Sequence, residues 1–387
     1  MHILVLPSWY KRLDYPNSAS FVSEQTQILR SYGLEVGIIS INQIPLKHLI
    51  RFYKEGHKVT DSFSEDGIYN IKFNLPKIPI LSFMLRQLMI IILFNRYVRK
   101  KGMPDIIHAH SFFDSGLTSL YFKKCRRIPI VLTEHFSGFL TDTIPWYKLR
   151  LFKRLSRYFD ASIAVSERFA KKLNWLLEEN RFQCVPNVIP PIFENFDGFE
   201  VGDKPYNSFV FLSVGALTKN KNHSLLIRSF HNSFEGNRAV KLRIIGKGPE
   251  YNNLKILIKK LKLEDQVTLL GEMNRFEVLM QMHQSDVFVL PSKFETFGVV
   301  VIEAFACGLP VIATRCVGPE ELIEDSNGIL VQNDSIDSLT NGLNRIYKET
   351  PMYCPVSIRE NCIAKFGRHS FFLRINRVYN AVSGKLN

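Results

Sequence analysis

The sequence predicts an α/β protein built as two successive open sheets of mostly parallel strands, and three observations carry that prediction. Short apolar runs alternate with amphipathic stretches from one end of the chain to the other. At 387 residues the chain is long for one ordinary domain and suits two. Near the middle, Val185-Pro186-Asn187-Val188-Ile189-Pro190-Pro191 and then 195–207, rich in Pro, Gly, Asn and Asp, interrupt the alternation. In the first half the apolar runs place strands at 3–6, 36–41, 106–109, 130–132, 162–165 and 183–185. In the second half they place them at 209–214, 241–245, 267–270, 287–290 and 311–313. Each set makes a Rossmann-like sheet. The expected division is therefore a domain at 1–190, a linker at 191–207, a second domain at 208–365 and a closing segment at 366–387. In that last segment Phe371, Phe372, Ile375, Val378 and Tyr379 recur at helical spacing.

Composition narrows the partners. Hydrophobic residues make up 46% of the chain, enough for two sizeable cores. The formal charge of +14 is uneven: residues 1–200 hold 27 Lys and Arg against 18 Asp and Glu, so this half carries +9. Such a balance favours anionic partners: phosphates, acidic lipid surfaces or nucleic acid. No concentrated basic arm or aromatic recognition module accompanies it, so nucleic acid is not an expected partner. The cysteines at 125, 184, 307, 316, 354 and 362 form no CxxC pair and have no histidine at metal-ligand spacing, which fits reduced thiols in a cytoplasm. The chain opens directly on its first apolar run without a charged start or cleavage site, again the expectation of a cytoplasmic protein.

Two stretches bear on membranes. Residues 80–94 are the most hydrophobic in the chain and are followed by Arg96, Arg99, Lys100 and Lys101. Interrupted by Arg86-Gln87, the run is too short for a bilayer span of about 20 apolar residues. It reads equally as a core helix or as an interfacial anchor with a basic trailing edge. Residues 146–157 repeat the theme: Leu151, Phe152, Leu155 and Phe159 form an apolar stripe, with Arg150, Lys153, Arg154 and Arg157 largely on other faces. Peripheral contact with an anionic membrane is one reading of this pair, and a solvated charged face is the other.

The chemistry concentrates where Glu295 and Glu303 stand with seven residues between them, astride Gly298, which opens an apolar helix. A glycine at a helix start lets backbone approach closely, and the unpaired amides and dipole there receive a diphosphate. Glu303 lies about five residues inside that helix, roughly 7 Å along its axis. A carboxylate on each side suits the hydroxyls at the two ends of a nucleotide sugar. The residues from Val299 to Ala306 leave no polar face, so Glu303 is expected to be buried and in need of a partner.

The string formed by the strand at 287–290, Pro291-Ser292, Glu295, Phe297-Gly298, Glu303 and Gly308-Leu309-Pro310-Val311-Ile312 resembles the donor-site signature of the family 4 retaining glycosyltransferases. The resemblance implies the GT-B fold: two Rossmann-like domains with parallel sheets facing across a cleft, and a C-terminal helix crossing back to the N-terminal domain. It makes 1–190 the acceptor side and 208–365 the nucleotide-sugar donor side. It assigns donor binding to Gly215, Lys219, Lys221, Gly246, Phe297, Gly298, Val299 and Glu303, and catalysis to Glu295, His110 and Lys221. In Val214-Gly215-Ala216-Leu217-Thr218-Lys219-Asn220-Lys221 the usual Arg after the glycine is Ala216, while Lys221 keeps its place. Gly246-Lys247-Gly248-Pro249 resembles the second glycine turn. Cys316-Val317-Gly318-Pro319-Glu320 matches the turn after the motif, with Val317 where the first Gly usually stands.

In the first half, His108-Ala109-His110 ends a strand at the edge where open α/β sheets bind ligands. His110 matches the family histidine that faces the transferred sugar. His135 in Thr133-Glu134-His135 resembles a second element on the acceptor side, or is a satisfied core histidine. Ser18, Ala19 and Ser20 occupy the place of a small glycine-containing loop near phosphates and acceptor, with Ala19 where Gly is expected; Ser20 also fits a helix cap. No Asp-x-Asp motif or carboxylate cluster accompanies the histidines, so neither a metal nor another cofactor is expected, and Lys221 and helix amides would offset the leaving-group charge. The implied activity is hexosyl transfer from a nucleotide diphosphate sugar to a glycan or lipid-linked acceptor, with retention, in bacterial surface polysaccharide synthesis. Ala19, Ala216 and Val317 motivate a rival: a catalytically silent nucleotide-sugar-binding or scaffolding subunit.

Overall fold

The structure is a computed structural model that describes residues 1–10, 20–46, 50, 54, 60–65, 67–78, 81–141, 143–196 and 208–384. The chain divides into two units, Met1–Pro186 with Phe371–Asn387, and Asn187–Ser370. In the first unit β1 (His2–Pro7), β2 (Glu35–Pro45), β3 (Thr60–Glu65), β4 (Ile68–Lys77), β5 (Ile106–His110), β6 (Ile130–Glu134), β7 (Ala161–Ala164) and β8 (Phe182–Cys184) form one sheet, in the order β3-β4-β2-β1-β5-β6-β7-β8. Pairing is parallel except between β3 and β4. β1, β5 and β6 are buried along their whole length, which is why they read as nearly unbroken apolar runs. β2 and β5 lie on opposite sides of β1, so the strand order reverses between β1 and β5.

The second unit repeats the plan. Its strands β9 (Phe209–Val214), β10 (Val240–Ile245), β11 (Val267–Gly271), β12 (Val287–Leu290), β13 (Val311–Thr314) and β14 (Gly328–Val331) run in the order β11-β10-β9-β12-β13-β14, all parallel. Phe211, Leu242, Val289 and Ile312 from the strands meet Leu226, Phe230 and Leu343 from the helices in one core. Here the reversal lies between β9 and β12. In open α/β sheets ligands bind beyond the carboxyl ends of strands at such a reversal.

Three strands fall outside the sequence prediction. β3 and β4 make a hairpin whose β4 carries Asn70, Lys72 and Asn74 among its apolar residues, which blurs the apolar run. β14 is short and opens on Gly328, where a Cβ would stand 2.1 Å from the Val311 carbonyl oxygen. The first unit also ends at Pro186, ahead of the expected boundary. Residues 191–196 are built into the second unit, because Arg359 donates to the carbonyls of Phe193, Glu194 and Phe196 at 3.1, 2.8 and 2.7 Å. The rest of the expected linker, 197–207, lies outside the described residues. The chain rejoins the first unit at Phe371, within the helix Arg368–Ser383. There Phe372 stacks on Tyr32 at 4.1 Å between centroids, and the Tyr379 hydroxyl lies 2.7 Å from His108 Nδ1.

The hydrophobic stretch forms the helix Leu81–Lys101, which has one face packed in the protein and another, apolar, exposed. Ser82, Arg86, Ile90, Leu93, Phe94 and Tyr97 are buried, while Leu81, Phe83, Met84, Leu88 and Ile92 are 45–66% exposed. Spacing 81, 84, 88, 92 puts four of these on one face. By length and composition alone the helix could also cross a membrane, although a third of its apolar window is buried in the protein. Arg86 is no interruption: its guanidinium donates to the Ser8 carbonyl at 2.5 Å and pairs with Asp114 at 2.9 Å. The second stripe is corrected in part. Phe152 and Phe159 are buried, whereas Leu151 faces solvent beside exposed Trp146 and Tyr147.

Candidate functional site

In the second unit the loops after β9 and β12 meet. Asn220 straps them together: its side chain donates to the Phe294 carbonyl at 3.1 Å and accepts from the Phe294 amide at 3.2 Å, and its carbonyl accepts from the Lys293 amide at 2.8 Å. This brings Lys221 Nζ onto Glu295 Oε1 in an ion pair, with the Ser292 hydroxyl donating to the same oxygen at 2.9 Å. The stem of Lys221 lies over Gly215, where a Cβ would be 3.5 Å away. Gly246 has φ 147°, and a Cβ there would stand 1.9 Å from the Gly215 carbonyl oxygen, so the two glycine turns touch backbone to backbone. Gly298, at φ 96°, opens the helix Val299–Ala306, which has no side-chain cap. Val299 and Val300 are half-exposed at its first turn, and Val301 to Ala306 are buried. An uncapped helix start three residues after a lysine-paired glutamate is chemistry for an anion.

Glu303 is buried to 1% and finds its partner in Arg275, the first residue of the helix Arg275–His283. The helix start is fixed by a capping box between Asn274 and Glu277. Among the described residues, the second carboxylate oxygen of Glu303 has no partner. It is a buried acceptor on a carboxylate whose charge Arg275 balances. Lys219 stands apart from the Lys221–Glu295 pair. It lines a polar cavity of about 260 Å³ with Thr218, Asn222, His223, Ser224, Glu250, Leu254 and Lys293. The turn after β13 adds a strained residue: Val317 has φ 78°, the left-handed region, which costs a β-branched side chain about 1–3 kcal/mol.

In the first unit the candidate residues gather at the β1–β5 reversal. His110 and His135 meet through Nδ1 and Nε2 at 3.0 Å, with rings stacked at 5.2 Å. His108 stacks on His110 at 4.4 Å and is itself held by Tyr379 and by the Thr133 hydroxyl, both at 2.7 Å. Burial lowers His110 to about 3. Burial, then its histidine neighbours, holds His108 well below the ordinary range, and His135 shifts the same way by burial and His110. The cluster is thus neutral near pH 7 and offers hydrogen bonds without charge. The Ser8 hydroxyl donates to the His110 carbonyl at 2.6 Å, which ties the end of β1 to the end of β5. Ser111, next in the chain, has φ 68° and ψ 137°. Glu134, fully buried, accepts from the amides of Phe112, His135 and Phe136 at 2.9, 2.9 and 2.8 Å. Burial raises its pKa against the lowering effect of those amides.

The structure therefore brings together Glu295, Lys221, Gly215, Gly246 and Gly298 in one unit, and His110 with His135 in the other. Ser18 and Ala19 lie outside the described residues, as does the side chain of Ser20. Sequence reasoning assigned no role to Asn220, Ser292, Arg275 and Glu134. Ser292 and Glu134 stand inside quoted motifs, and Arg275 opens a helix inside an Asn-x-x-Glu capping box. Among the described residues no group of three or more His, Cys, Asp and Glu is placed to hold a metal ion.

Residues 197–364 match the family model described as Glycosyl transferases group 1, and 48–191 match Glycosyltransferase Family 4. N-acetyl-alpha-D-glucosaminyl L-malate synthase of Bacillus anthracis is 43% identical over 235 residues, 59% of this chain and 61% of that protein. Sucrose-phosphate synthase of Thermosynechococcus elongatus shares the fold with a TM-score of 0.82 at 19% identity, over 100% of both chains. Anabaena HepE, solved in complex with UDP, gives 0.72 at 18% identity over 98% of this chain and 100% of its own. The family matches in both units, the aligned relative and the neighbours in fold together establish that this chain belongs to the family 4 type of glycosyltransferases, with the GT-B fold.

Proposed function

We propose that this glycosyltransferase moves a hexose from a nucleoside diphosphate sugar to a glycan or lipid-linked acceptor, with retention, in surface polysaccharide synthesis. The observation that carries the reading is the Lys221–Glu295 pair at the β9–β12 reversal, beside the uncapped helix start at Gly298. UDP in the Anabaena protein supports a uridine nucleotide as the first donor to try. Lys221 and the amides at 298–300 take the diphosphate; Glu295 and the open oxygen of Glu303 accept hydroxyls. Neutral His110 is the hydrogen-bonding group toward the transferred sugar. In the reaction the bond from the anomeric carbon to the diphosphate breaks and the acceptor oxygen bonds that carbon on the same face. The acceptor proton leaves with a diphosphate oxygen, whose charge Lys221 stabilises without a metal.

The exposed face of Leu81–Lys101, trailed by Arg96, Arg99, Lys100 and Lys101, supports peripheral docking on an anionic membrane from the cytoplasmic side, where a lipid-linked acceptor is presented. One assay series tests both points. Nucleotide is released only when donor and acceptor are both present, and the protein cosediments with anionic but not neutral vesicles. Glu295→Ala and Lys221→Ala each lose about 10²–10³ in kcat while the protein stays folded. Full activity in both variants sinks the site assignment. Donor binding by calorimetry without any transfer favours the silent subunit instead.

A further inference from the structure

Seven described residues other than glycine have positive φ: Ser111, Arg127, Glu178, Asn222, Lys262, Val317 and Asp334. Arg127 and Glu178 close helices, where the left-handed conformation is routine, and Lys262 follows the helix Tyr251–Lys260 at the same kind of stop. Asn222 and Asp334 are of the types that tolerate it. Ser111, which precedes the short helix Phe112–Gly116, and Val317 belong to neither group. Val317 is the β-branched one among them, and its conformation has to be imposed from outside.

The imposing contacts all come from the glutamate loop and its own turn. The Glu295 amide donates to the Cys316 carbonyl at 3.1 Å, and the Gly318 amide donates to the Glu295 carbonyl at 2.9 Å. Residue 317 is thus clamped on both sides to the backbone of Glu295, with which it forms an isolated parallel bridge. Its own amide is held by Glu320 Oε1 at 3.0 Å. Gly318 packs directly on the Phe297 backbone, where an added Cβ would lie 2.4–2.5 Å away, so a side chain is excluded at 318. Glycine would satisfy this geometry at 317 without strain. Core packing does not account for valine either, since Val317 is only half-buried.

We propose that the Val317 isopropyl group is a specificity-determining wall of the donor-sugar subsite, narrowing the space beside Glu295 and selecting the donor by size. The proposal rests on the donor-site reading above. The backbone bridge pairs residue 317 with Glu295, so valine adds there a three-carbon isopropyl group that glycine would lack. Size selection of this kind is worth about tenfold or more per group excluded.

The test compares affinities for UDP-glucose and UDP-N-acetylglucosamine, which differ by an acetamido group in place of a hydroxyl, in wild type, Val317→Gly and Val317→Ala. The ratio of affinities should move at least about tenfold toward the larger donor in both variants. Val317→Gly should also melt no lower than wild type, because strain is released, whereas Val317→Ala keeps the strain and loses the wall. A donor ratio unchanged within about twofold in both variants overturns the proposal, and so does a fall in melting temperature of Val317→Gly with the ratio intact, which assigns the side chain to packing. If wild type binds UDP yet the ratio is unmoved, the wall alone is lost. If wild type binds neither UDP nor either sugar nucleotide, the donor site falls with it.

Discussion

The two strand-order reversals of this molecule carry candidate sites of opposite electrostatic character. At the β1–β5 reversal the polar groups are neutral imidazoles, stacked and hydrogen-bonded to one another and to Tyr379 and Thr133. In the second unit they are charges, Lys221 on Glu295 in the loops after β9 and β12 and Arg275 on Glu303 between two helices. The same α/β plan thus holds one cluster of uncharged rings and one of paired charges. The difference arises from what each sheet can bury: ring nitrogens share protons inside the core, whereas charges must stay near the surface or pair.

Acidification should separate the two sites most. In the unfolded chain each histidine takes a proton near pH 6.5, whereas folded His110 resists to about 3 and His108 also resists strongly. Between those values the unfolded state binds more protons, so their contribution is fully present above about pH 6.5 and is lost as the pH falls. From pH 7 to pH 5 His110 costs about 2 kcal/mol, and His108 and His135, both held low chiefly by burial, act in the same direction. Glu134, whose pKa is raised in the fold, works in the opposite sense and offsets part of this. The second unit has one such fully buried histidine, His223, lowered to about 4 by burial and Lys221, and the partly buried His283. Hydrogen exchange at the two pH values should show β5 and β6 losing more protection than β9 and β12. Equal losses break the comparison.

Glu134→Ala should come next in size. Removing the carboxylate leaves the amides of Phe112, His135 and Phe136 without their acceptor, about 2–3 kcal/mol of stability by chemical denaturation. The loss should loosen His135 and, through it, His110. A Glu134→Ala protein as stable as wild type would mean that this site is held by its ring stack alone.

The sheets were legible because buried parallel strands such as β1, β9 and β12 are apolar runs, and the donor loop because Glu295, Gly298 and Glu303 keep a recognisable spacing. The hairpin of β3 and β4 was not, since Asn70 and Asn74 interrupt its pattern while being buried. Nor were the contacts that hold each site. Asn220 and Phe294 are 74 positions apart and Glu134 and Phe112 are 22 apart, so no local pattern joins them. The partners of Arg86 were not legible either, since Ser8 and Asp114 reach it only in the fold.

Asn220 provides the smallest and sharpest contrast with Glu134. Both are straps, but Glu134 is fully buried and serves three amides, while Asn220 is only partly buried and its side chain serves one residue, Phe294. Asn220→Ala keeps the backbone bond from the Lys293 amide, so the loops remain joined and the loss should be about 1 kcal/mol. What the substitution removes is the hold on Phe294, the residue before Glu295. The Lys221–Glu295 geometry should loosen, and donor affinity measured by calorimetry should fall by several-fold with little change in melting temperature. A stability loss as large as that of Glu134→Ala would show that the charged site is built into its unit as deeply as the neutral one, and the proposed division between a rigid hydroxyl site and a looser diphosphate site would fail.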